Sequence, residues 1–127
     1  MKEINGLDEI KIFVDEFYDK VKKDELIGPV FAGVIVDWQR HLDKMYAFWN
    51  AALFGAPGFK GNPFARHAPL PIAQEHFDRW LELFIGTIDS HFVGSMAEET
   101  KHRAGLMATM FVSKLDKMRS APGNVIV

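Results

Sequence analysis

The chain has 127 residues, no cysteine, and 15 Lys+Arg against 17 Asp+Glu for a formal net charge of −2. The missing cysteine excludes a disulfide scaffold, a zinc–thiolate centre, a Cys nucleophile and a Cys-ligated iron–sulfur cluster. The near-neutral balance gives no overall electrostatic pull towards nucleic acid or an anionic membrane.

With 48% apolar and 13% aromatic residues, the chain has material for a sizeable core in one domain. The N-terminal stretch carries charges every few residues, unlike a secretory leader. No run approaches the roughly 18–20 apolar residues of a membrane span. A single cytoplasmic domain over residues 1–127 is the expectation.

The helical period dominates in chain order. Leu7, Ile10, Phe13, Val14, Phe17, Tyr18 and Val21 recur at spacings of three and four, predicting a helix over 6–23. Gly28-Pro29 breaks it, and Phe31 and Val34-Ile35-Val36 suit a short helix or tight corner. Asp37 is placed to cap the next helix, whose stripe is Trp38, His41, Leu42, Met45, Trp49, Ala52 and Leu53, with Gly55 at its end.

Residues 55–73 hold three of the ten glycines and four of the six prolines, which predicts a long loop with one helical turn near 63–67. Helix resumes near Ile72 or Ala73, with Phe77, Trp80, Leu81, Phe84, Ile85 and Ile88 on one face. After Gly94-Ser95 a last helix carries Ala104, Met107, Met110, Phe111, Leu115 and Met118. Ser95 and Glu98 have the spacing of a capping box. Residues 120–127 read as a flexible tail. The fold class is all-α.

Polar groups on these apolar stripes draw notice. Taken alone, His41 reads as a core histidine with one hydrogen-bond partner, Tyr18 as an edge tyrosine, and Trp80 as core filler. His67 differs, because it stands in a Pro-stiffened Arg66-His67-Ala68-Pro69-Leu70-Pro71 segment flanked by apolar residues. A histidine held at the edge of an apolar pocket is a candidate metal or haem-iron ligand. Glu99-x-x-His102 matches half of a di-iron carboxylate motif and lacks the rest. His76, His91 and His102 are expected on solvated faces.

The ordered set FYDKV (17–21), GPVF (28–31), a helical His41, FW (48–49), RHAPLP (66–71) and FDRWLELF (77–84) resembles the truncated haemoglobins, group III. The resemblance runs from about residue 5 to 119. The glycine pairs of the other groups are absent, in keeping with group III.

It implies a two-over-two helical sandwich enclosing haem b. It also implies His67 as the proximal iron ligand, and Tyr18, His41 and Trp80 as distal residues that stabilise the bound ligand. Phe31, Phe17 and Met45 would line the haem, and Lys44 and Arg66 would pair with its propionates. The implied ligands are O2, CO and nitric oxide. Two buried, well-aligned donors are each worth about 1.5–3 kcal/mol. They would slow O2 release, which favours nitric oxide or peroxide chemistry, fed by an electron-donor reductase, over oxygen transport. A haem-based gas sensor, a partner-binding module and a cofactor-free helical interaction domain are the alternatives.

Overall fold

The computed structural model describes residues 1–59 and 72–120, with side chains to residue 117. The predicted turn near 63–67, Arg66, His67 and the tail beyond 120 lie outside the described residues.

Five helices follow one another among the described residues: α1 (Leu7–Lys23), α2 (Gly28–Ala32), α3 (Trp38–Phe54), α4 (Gln74–His91) and α5 (Ser95–Ser120). The predicted all-helical class stands; the apolar Val34–Val36 run forms no strand, and one isolated bridge pairs Lys2 with Phe92.

α1 is the centre of the packing. It buries Ile10, Phe13, Val14, Phe17, Tyr18 and Val21 of the expected stripe, while Leu7, in its first turn, is exposed. Asp8 and Glu9 in its first turn and Lys20, Lys22 and Lys23 in its last complement the helix dipole. It packs against α2, α3 and α4, while α4 pairs with α5. Phe13 lies at the hub, edge-on to Trp49, Phe84 and Phe92 at 5.7–6.3 Å. A second cluster of Ile72, Phe77, Ala108, Phe111 and Leu115 joins α4 to α5.

Asp37 caps α3 as expected, its side chain accepting from the Arg40 N–H at 3.1 Å. Gly55, left-handed at φ 67°, ends that helix. On α3 only Trp49 is fully buried, and the rest of the stripe, His41, Leu42 and Met45 included, is half-buried.

Several local expectations are corrected. Met110 does not join the core; it is exposed, because α5 turns only its Ala104–Ala108–Phe111–Leu115 face inwards. At the start of α5, the carboxylate of Glu3 accepts the Met96 and Ala97 N–H groups at 2.9 and 2.8 Å, a role expected of Ser95. Glu98 instead pairs with Lys101. His91 is not simply solvated but pairs with Glu16, and the His76 Nδ1 accepts the Ala73 N–H at the start of α4.

Candidate functional site

Three helices bring aromatic side chains to one wall. α1 presents Phe17 and Tyr18, α2 presents Phe31, and α3 presents Trp38 and His41. The Tyr18 ring meets His41 edge to face at 4.9 Å between centroids, with Phe31 and Trp38 each 6.0 Å away. Trp38 also lies edge-on to His41 at 5.9 Å.

Phe17 links this group to α4, at 4.8 Å from Tyr18 and 5.6 Å from Trp80. Trp80 stacks on Phe84, which stacks on Trp49, so its plane is fixed from below by a pile of rings.

The wall is chemically graded. Tyr18 is only 7% exposed, and burial alone pushes its phenol well above the ordinary value of 10.0. No hydrogen bond contributes to that shift. The hydroxyl is therefore a protonated donor throughout the physiological range. The His41 Nε2 is shielded from solvent.

Outside His41 a cleft of about 350 Å³ opens, lined by Val34, Ile35 and Val36 from the α2–α3 corner and by Asp37, Arg40 and Lys44 of α3. His41 borders both this cleft and the aromatic group. Met45, one turn further along α3, packs half-buried against the main core.

Tyr18, His41, Phe17 and Phe31 thus come together, with Trp80 joined to them through Phe17. Lys44 stands apart from them at the cleft, beside Arg40. Arg66 and His67 lie outside the described residues.

Trp38 is the residue that sequence reasoning missed as part of the site. It sat on a stripe with the other apolar residues, and nothing local marked it. The Lys22 Nζ over its ring, 4.5 Å from the centroid, is likewise a contact between distant segments. Among the described residues no cluster of His, Asp or Glu could hold a bare metal ion. Glu99, half of the di-iron pattern, bonds Arg103 instead. No helix among the described residues is long and apolar enough to cross a membrane.

The arrangement suits haem on its donor set: aromatic and apolar walls from three helices, polar donors on one face, and cations beside the cleft. A flat apolar disc with two carboxylates needs those features, and its iron needs a ligand besides.

Comparison with known proteins agrees. Residues 2–114 match the family model described as bacterial-like globin. Group 3 truncated haemoglobin of Campylobacter jejuni is 34% identical over 106 residues, covering 80% of this chain and 84% of that protein. A group 2 truncated haemoglobin of Bacillus subtilis is 33% identical over 81 residues, with 60% of this chain and 59% of that one covered. The crystal structure of group III truncated haemoglobin from Campylobacter jejuni superposes with a TM-score of 0.84 at 32% identity. It covers 91% of this chain and 95% of that one.

Proposed function

The chain belongs to the bacterial-like globins, with the truncated-globin fold, and is a haem globin that binds diatomic ligands; on that premise we propose that it holds and transforms them rather than carrying O2 in bulk. The observation that carries this reading is the buried Tyr18 phenol, ringed by His41, Phe31 and Trp38.

The group is haem b, and its iron supplies the binding and activation of the diatomic. His67 would hold that iron through a neutral imidazole nitrogen. Tyr18 and the Trp80 indole N–H would donate to the bound ligand and stabilise its negative charge, with His41 beside Tyr18. Phe17, Phe31 and Met45 exclude water from it. Lys44 and Arg66 would pair with the propionates.

Each donor that bonds a charged ligand adds about 1.5–3 kcal/mol, and each 1.4 kcal/mol is tenfold in an equilibrium constant. Slow O2 release makes a poor carrier. It suits nitric oxide dioxygenation, in which nitric oxide and O2 combine to nitrate with one electron from a cytoplasmic reductase, or the handling of peroxide.

The ligation is tested by loading the full chain with haemin, reducing it and adding CO. An intense Soret band that is lost in His67→Ala supports the assignment. A band that survives that substitution unchanged overturns it.

A further inference from the structure

The corner between α1 and α2 is tied to α4 by one buried carboxylate. Asp24 follows α1, and its side chain is 5% exposed. One oxygen accepts the Leu26 and Ile27 N–H groups at 3.1 and 3.0 Å, which shapes the turn into α2. The other accepts from the Arg79 Nε at 2.6 Å. Glu82 holds the Nη1 of the same guanidinium at 2.8 Å.

Arg79 immediately precedes Trp80 on α4. The ion pair therefore ties α4, which carries Trp80, to the turn between α1, which carries Tyr18, and α2, which carries Phe31. A carboxylate this buried is costly unless it is paired and hydrogen-bonded. Here the cost is offset by two backbone donors from the turn and a guanidinium from α4. The pair holds only when α4 sits at one height against the α1–α2 corner.

We propose that Asp24 and Arg79 are a positioning pair for the distal wall, setting the Trp80 indole against Phe17 and the Tyr18 pocket. The ligand-side consequence rests on the reading of Trp80 as a ligand-facing donor. The positioning itself does not. Neither residue touches the ligand, and their effect passes through Trp80.

The chain has three tryptophans, so their indole N–H resonances can be separated in the 15N-labelled, CO-bound holoprotein, with Trp80→Phe assigning the Trp80 signal. Arg79→Met should displace the Trp80 indole resonance and leave that of Trp49, in the core behind Phe84, in place. Arg79→Lys should restore it, since a single donor reaching the same oxygen suffices. Asp24→Asn keeps an acceptor for the turn while removing the charge, and should displace the same resonance if Arg79→Met fails to fold.

O2 dissociation should rise in step, up to about tenfold. A Trp80 resonance unmoved in Asp24→Asn and Arg79→Met, with only a lower thermal midpoint, overturns the proposal. A displaced resonance with unchanged O2 dissociation upholds the positioning and counts instead against Trp80 as a ligand donor.

Discussion

The Tyr18 and His41 rings meet at 4.9 Å with their planes 86° apart, and this contact joins α1 to α3 across the aromatic wall. Trp38 is edge-on to His41, tilted against Tyr18 and capped by the Lys22 ammonium. The orientation of the two polar residues is therefore a property of a four-residue group. Trp38→Leu removes two ring contacts and a cation–π contact, and should cost about 1–3 kcal/mol in urea denaturation. It should also admit water to the Tyr18 hydroxyl.

The chain has only two tyrosines, which makes alkaline titration readable residue by residue. Burial pushes Tyr46 up to about 12, helped by its hydrogen bond to Asp15, and burial pushes Tyr18 higher still. In ultraviolet absorption no tyrosinate should form in the folded protein at pH 10. The first step should vanish in Tyr46→Phe. Both values are raised on folding, so their stabilisation is complete below the unfolded value of about 10 and is lost as pH climbs towards the folded values. Stability should fall above pH 10, and less steeply in Tyr46→Phe.

The N-terminal arm provides an acid-side counterpart. Burial alone would raise the Glu3 carboxyl, but N–H groups of Met96, Ile4 and Ala97 and the Ser95 hydroxyl hold it below its ordinary 4.5. Its stabilisation is therefore full above about pH 4.5 and is lost as pH falls through the lower folded value. Glu3→Gln should cost about 1 kcal/mol at neutral pH, as other lost helix caps do, and flatten the acid limb of the denaturation profile.

Gly94 makes room for that cap. Its φ is 131°, and a Cβ there would stand 2.0 Å from a Glu3 carboxylate oxygen. Gly94→Ala should destabilise by about 1–3 kcal/mol. Combined with Glu3→Gln, the loss should be smaller than the sum, because both act on one contact. Thermal denaturation of the two single variants and the double variant checks this.

The helices were legible from periodicity because each buries a stripe against the next, and Asp37 and Gly55 marked the ends of α3 by residue type alone. Contacts between distant segments were not. Glu3 reaches residues 93 and 94 positions away, and Arg79 reaches Asp24 across 55. No local pattern announces such pairs. Trp38 hid for a related reason: a tryptophan on an apolar stripe reads the same whether it fills a core or walls a site. Tyr18, His41 and Trp80 stood out only as polar groups on apolar faces. A shared role for them was only implied by the family resemblance; the structure sets the first two ring to ring and joins Trp80 to them through Phe17.

The central claim is that Tyr18 and Trp80 hold the bound diatomic by donating hydrogen bonds to it. Stopped-flow O2 dissociation from the ferrous holoprotein tests it most directly. Tyr18→Phe and Trp80→Leu should each release O2 faster by about tenfold or more, as the loss of a donor worth at least about 1.4 kcal/mol requires. Unchanged rates in both variants would contradict it.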